Sequence, residues 1–190
     1  TVAYLELTRF GDRTNGEWNA AVGTIVTELA GSNPPKGLIL DLRNNPGGYL
    51  AGSVYIASEF VSDGTIVSQV NSDGTKDDYR VVRRGRLLDI PLVVLINKGS
   101  ASASEIVAGA LKDFSRATLV GDTTFGKGTV QTPQDLPGGA GLHITTGKWL
   151  LPSGGTISNT GISPDVLVEM DTYDATKDAQ LAKAIELILQ

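Results

Sequence analysis

Three serines at alternate positions, Ser100, Ser102 and Ser104, lie in the segment Lys98-Gly99-Ser100-Ala101-Ser102-Ala103-Ser104-Glu105. An apolar run precedes the segment and a helical pattern comes after it. A serine at a helix N-terminus sits where backbone N–H groups point outward and the dipole favours negative charge. Those groups can stabilise an oxyanion, and the hydroxyl becomes a nucleophile once a base takes its proton. The same serines also suit plain N-capping and close packing, so the cluster alone leaves both readings open. A histidine base would have to be His143, the only one present, and there is no cysteine. These two counts remove Cys nucleophiles, thiolate metal sites, disulfides and any zinc site built on two or three histidines. Lysine is the unusual alternative, since a reference pKa of about 10.4 keeps it protonated in water and burial lowers that value. Lys127, flanked by Gly126 and Gly128, could be tucked inside where its backbone passes close to neighbours. An ordinary surface lysine is the plainer reading.

Two other loops are candidates for a site. Asn45-Pro46-Gly47-Gly48 succeeds the buried-looking run Gly37 to Leu42, and ligands in α/β sheets bind beyond the carboxyl ends of such strands. The loop Gly121 to Thr129 begins like a phosphate-binding loop, but Gly128 stands where a Ser or Thr must come directly after the lysine. The next residues, Gln131-Thr132-Pro133-Gln134-Asp135-Leu136-Pro137, are a poor start for a phosphate-holding helix. A nucleotide site is therefore disfavoured.

The elements that must position these loops alternate along the chain. Val2 to Thr8 reads as a strand, and Thr14 with Glu17 reads as a capping box opening a helix whose stripe is Trp18, Val22, Ile25 and Leu29. Further strands are expected at Gly37 to Leu42, Ile66 to Val70, Tyr79 to Val82, Pro91 to Asn97, Ala117 to Gly121, Leu142 to Leu151 and Asp165 to Glu169. Helices are expected over Leu50 to Phe60, Ala101 to Phe114 and Asp178 to Leu189, the last with Leu181, Ile185 and Ile188 inward. The pattern is α/β in one layered domain of 190 residues. The net charge of −5 and the lack of any long basic run argue against nucleic acid as a partner. No apolar run reaches the roughly 18 residues of a membrane span.

Taken together, Asp41-Leu42-Arg43-Asn44-Asn45-Pro46-Gly47-Gly48, Ser100 to Glu105, and Phe125-Gly126-Lys127-Gly128-Thr129-Val130-Gln131 resemble the carboxyl-terminal processing (tail-specific) peptidases. Pro152-Ser153-Gly154 and Gly161-Ile162-Ser163-Pro164-Asp165 are similar to that family as well. The resemblance implies a crotonase-like α/β fold and an ATP-independent serine endopeptidase without cofactor or metal. By family spacing the nucleophile would be Ser102, with Lys127 as general base 25 residues on and Gln131 orienting the lysine. The backbone N–H groups of Gly48 and Ala103 would form the oxyanion hole. The substrate would be unfolded polypeptide or C-terminal segments, in an extracytoplasmic setting such as the bacterial periplasm, cell envelope or plastid lumen.

The family also carries a PDZ domain and an N-terminal segment, and residue 1 stands where the core's first strand begins. Residues 1–190 are therefore expected to be the peptidase core alone, with a PDZ domain or adaptor as partner in the full-length protein. Two rivals remain: an apolar-ligand-binding module of the retinoid-binding type, and a core kept inactive without its PDZ domain. Retention of Ser102, Lys127 and Gln131 argues against the first. Plainer roles are expected elsewhere: an ion pair or cap for Asp113 and Arg116, dipole stabilisation for Glu105, a strand side chain for His143, and a solvated loop for Asp73, Asp77 and Asp78.

Overall fold

The computed structural model describes residues 1–170 and 177–190. Along the chain come β1 (Ala3–Glu6), α1 (Thr14–Leu29), β2 (Leu38–Asp41) and α2 (Leu50–Ala57). The hairpin β3 (Thr65–Asn71) and β4 (Lys76–Arg80) precedes β5 (Leu92–Ile96), α3 (Ala103–Asp113) and β6 (Thr118–Gly121). A second hairpin, β7 (Thr129–Asp135) and β8 (Gly141–Leu150), leads to β9 (Val166–Leu167) and α4 (Ala179–Leu189). Strands β1-β2-β5-β6-β9 form a parallel sheet in that order, and β4-β3-β8-β7 an antiparallel one.

The central strands are apolar throughout because both of their faces are covered. Leu38, Leu40, Leu92, Val94 and Ile96 point into the larger core with α1, α2, α3 and the inner face of the second sheet. The alternate residues Ile39, Val93 and Leu95 point the other way, against Ala184 and Ile188 of α4. That period of two is the strand geometry itself. It leaves the turns after β2 and β5 side by side at one end of the sheet, where the candidate chemistry sits.

Two expectations change, and one strand is present where none was expected. Thr14 does not form a capping box: its hydroxyl accepts from the Gly11 N–H at 2.8 Å and donates to the Arg9 carbonyl at 3.1 Å. The preceding turn thus claims it, and α1 has no side-chain cap. In α4, Ile185 faces solvent, whereas Leu181 and Ile188 pack inward as expected, and Gln180 and Ala184 are the other buried positions. The segment Thr129–Asp135 is a strand, paired with β8 from Thr129↔Lys148 to Asp135↔Gly141. It is an edge strand of mostly exposed polar residues, with no apolar alternation to announce it.

Candidate active site

The turn after β5 uses its three serines differently. Ser100 is buried, and its hydroxyl donates to the Leu42 carbonyl at 2.8 Å while accepting from the Asn97 N–H at 3.0 Å. Ser104 is also buried and lies 2.8 Å from the carbonyls of Asn45 and Ala101. Both hydroxyls stitch this turn to the turn after β2. Ser102 is only half-buried and caps α3 with φ 57° and ψ −115°. A non-glycine residue in that region is uncommon, and such residues cluster at functional sites.

The Asn45–Gly48 turn lies against it. The Asn45 amide donates to the Leu7 carbonyl at 2.6 Å and its Oδ1 accepts from the Gly47 N–H at 2.9 Å. A Cβ on Gly47 would stand 2.8 Å from the Ser102 Cβ and 2.9 Å from the Ala103 nitrogen, so only glycine fits here. Phe10 N–H donates to Gly47 O at 3.0 Å and Tyr49 N–H to Phe10 O at 2.9 Å. Between them the Gly48 N–H has no acceptor among the described residues, and neither has the Ala103 N–H at the first turn of α3. Two free N–H groups therefore flank Ser102, the arrangement a tetrahedral oxyanion requires. A cavity of about 520 Å³ opens beside Gly48, walled by residues that include Arg9, Phe10, Arg13 and Tyr49 but not by Ser102 or Ala103.

Lys127 reaches the site through its backbone. Its N–H donates to Glu105 Oε2 at 2.9 Å, and the neighbouring Gly126 and Gly128 lie tight against Asn159, Gly161 and Ser158. The glycines do let the chain approach closely, but the lysine side chain is exposed rather than tucked inside. Inward contacts at this loop are made by N–H groups, which turns the side chain out. Among the described residues it makes no hydrogen bond or ion pair, with Ser102 and Gln131 included; Gln131 is likewise exposed, on β7 opposite Thr145. The fold brings Ser102, Ala103 and Gly48 together and carries Lys127 to the same place by its main chain. No side-chain hydrogen bond joins Ser102, Lys127 and Gln131.

Glu105 does more than sit in the field of a helix dipole. It is fully buried and accepts four hydrogen bonds, including the Ser102 N–H at 2.8 Å. The signal for it in the sequence is the Ser-x-x-Glu spacing of Ser102 and Glu105, a capping box. Asp113 and Arg116 do not pair with one another. Asp113 accepts from the Ser153 N–H at 2.9 Å, and Arg116 donates to the carbonyls of Phe60, Leu87 and Ile90. His143 is an exposed β8 side chain. No cluster of three or more metal-ligating side chains occurs among the described residues.

Arg43 forms a second anchor. It binds Asp41 at 2.6 Å and Asp178 at 2.8 Å, tying the turn after β2 to the start of α4, while Tyr4 donates to Asp41 at 2.7 Å.

A model of peptidase family S41 matches residues 1–168. The chain belongs to that family. The carboxyl-terminal-processing protease of Synechocystis sp. is 40% identical over 193 residues, 99% of this chain and 44% of the relative. CtpA of Bacillus subtilis, a carboxy-terminal processing protease, is 37% identical over 90% of this chain and 36% of its own length. Among solved structures, a photosystem II D1 C-terminal processing protease superposes with a TM-score of 0.79 at 38% identity, over 87% of this chain and 42% of that one. The tricorn protease shares the fold at a TM-score of 0.66 and 24% identity, over 100% of this chain and 18% of that one. This family member spans less than half the length of the curated relatives it matches. The expected α/β layering is present, and no helix among the described residues is long and apolar enough to cross a membrane.

Proposed function

We propose that this chain is the core of a serine endopeptidase that hydrolyses extended polypeptide with Ser102 as nucleophile and Lys127 as general base. The observation that carries the reading is Ser102 itself. It alone of the three serines is solvent-accessible, in a left-handed conformation, between two N–H groups without acceptors among the described residues. In the proposed reaction the Lys127 amine takes the Ser102 proton as Oγ attacks the scissile carbonyl. The Gly48 and Ala103 N–H groups hold the resulting oxyanion, a term worth about 2.7–4 kcal/mol per donor. The lysine then gives its proton to the leaving amine, and water hydrolyses the acyl-enzyme. Gln131 orients the lysine once the side chain turns inward. Because Lys127 is exposed, the substrate supplies the dehydration that makes an amine a base, by lying across the site.

The cavity beside Gly48 gives an extended peptide a groove, and the exposed ring of Tyr49 stands in its wall. C-terminal segments as substrate are supported by the names of the relatives, one of them the chloroplastic C-terminal processing peptidase of Tetradesmus obliquus. Unfolded polypeptide as substrate and an extracytoplasmic or lumenal setting are part of the same proposal. A PDZ domain in the full-length protein would select such tails.

The test is cleavage of an unfolded casein-like substrate by the wild type and Ser102→Ala between about pH 6 and 9. Cleavage that rises with pH and vanishes in the variant is expected. Cleavage that survives in Ser102→Ala overturns the assignment of the nucleophile.

A further inference from the structure

Every partner of the Glu105 carboxylate is a donor, and the donors come from both segments that carry the proposed serine and lysine. Oε2 accepts from the Ser102 N–H at 2.8 Å and from the Lys127 N–H at 2.9 Å. Oε1 accepts from the Thr124 hydroxyl at 2.6 Å and the Gly126 N–H at 2.7 Å. The side chain is wholly buried. Thr124 extends the network: its Oγ1 accepts from the Ile162 N–H at 2.7 Å, and its own N–H donates to the Ile162 carbonyl at 3.1 Å. A capping glutamate needs only the contact with Ser102. The other three partners lie 19, 21 and 22 residues away in sequence. The Lys98–Asp122 ion pair at 3.1 Å also joins the two segments, but it lies at the surface and holds neither Ser102 nor Lys127.

We propose that Glu105 is the positioning residue that sets Ser102 against Lys127, because one buried carboxylate oxygen anchors the main chain at both. The inference rests on the Ser102–Lys127 reading above and deepens it. A buried acceptor shared in this way fixes the origin of each side chain, so the two reactive groups keep a common reference while their side chains move. It also holds Ser102 in a conformation that persists only where the surroundings over-determine it. Glu105 touches neither substrate nor the transferred proton. Its effect passes through the two residues it holds.

The test uses Glu105→Gln, which keeps size and shape but aims an amide N–H₂ at N–H donors. The expected result is a fall in kcat of about 100-fold, the scale on which small misplacements act, with KM changed far less. Thr124→Val should give a smaller loss in the same direction, and Thr124→Ser should restore it. If Glu105→Gln does not fold, the Thr124 pair carries the comparison. A second readout needs no cleavage: amide proton resonances of Ser102, Gly126 and Lys127 should move upfield together in Glu105→Gln while the rest of the spectrum holds. A folded Glu105→Gln protein with wild-type kcat, or with those three resonances unmoved, overturns the proposal. A wild type that cleaves nothing, alongside moved resonances, sinks the peptidase reading and leaves the anchor supported.

Discussion

Phe10 and Gly48 lie side by side in an isolated parallel bridge, and a Cβ on Gly48 would run into the Phe10 carbonyl. The loop after β1 therefore fixes the position of a proposed oxyanion donor. Gly48 also has φ 141°, which L side chains rarely adopt. Gly48→Ala should cost catalysis on the order of 10²–10³-fold, the worth of one displaced donor. It should also lower the melting temperature more than Gly74→Ala does. Gly74 has a positive φ too but open space around it, so it reports backbone strain alone, about 1 kcal/mol. Wild-type kcat in Gly48→Ala would remove Gly48 from the site.

The three serines separate stability from activity. Removing the Ser100 hydroxyl strands the Asn97 N–H, and removing the Ser104 hydroxyl deletes a buried cross-link between the two turns, at about 1–3 kcal/mol each. Ser102→Ala removes only the N-cap half of the capping box with Glu105, about 1 kcal/mol. Thermal melts should thus fall further for Ser100→Ala and Ser104→Ala than for Ser102→Ala, while only the last abolishes cleavage in a folded protein. A Ser102→Ala protein that melts as low as the other two would contradict this division.

The Arg43 anchor gives a pH dependence of stability. Burial works against the Asp178 carboxylate, but the Arg43 guanidinium and the Leu181 N–H outweigh it and hold it below its usual range. Buried Glu59 shows the same balance, with Arg83, the Arg86 N–H and Trp18 prevailing over burial. Each contributes stability present above the unfolded value near about 4 and lost as pH falls through the depressed folded value. Tyr4 behaves oppositely. Burial, then its bond to Asp41, raises its hydroxyl to about 12, so its contribution holds below about 10 and fades as pH climbs towards 12. Melting temperature should therefore drop at both extremes. Tyr4→Phe should blunt the alkaline loss, and Arg43→Ala should cost roughly 3 kcal/mol by leaving Asp41 and Asp178 without their cation. An unchanged alkaline limb in Tyr4→Phe would count against the Tyr4 assignment.

Legibility in the sequence tracks physical strength. The buried strands β2 and β5 announce themselves because both faces are apolar, and α3 because it begins at the serine turn. The edge strand β7 does not, since its pairing is all main chain and its side chains are mostly exposed. Helical spacing alone puts Ile185 on the inward face of α4, yet small Ala184 and polar Gln180 take the buried positions. The motif at Ser102, Lys127 and Gly48 is legible through its resemblance to a family, whereas residue type alone leaves the three serines undivided. The pooling of two loops on Glu105 is not, because three of its four donors lie 19 or more residues away.

Lys127 is where sequence and geometry differ most, and its variants decide its role. Its side chain is exposed and without a hydrogen bond or ion pair among the described residues. Lys127→Ala should therefore leave stability within about 0.5 kcal/mol of wild type, as surface substitutions do. Cleavage should nevertheless be lost, because no other amine takes the Ser102 proton. Lys127→Arg sharpens the point. A guanidinium keeps the positive charge but does not release its proton in the working range, so it supplies attraction without base catalysis. If lysine accepts the proton, Lys127→Arg is as inactive as Lys127→Ala, and wild-type activity rises from neutral to mildly alkaline pH. If the charge alone matters, Lys127→Arg retains activity and the profile stays flat. Gln131→Ala should lie between, lowering kcat without abolishing it, since the amine remains but is no longer oriented.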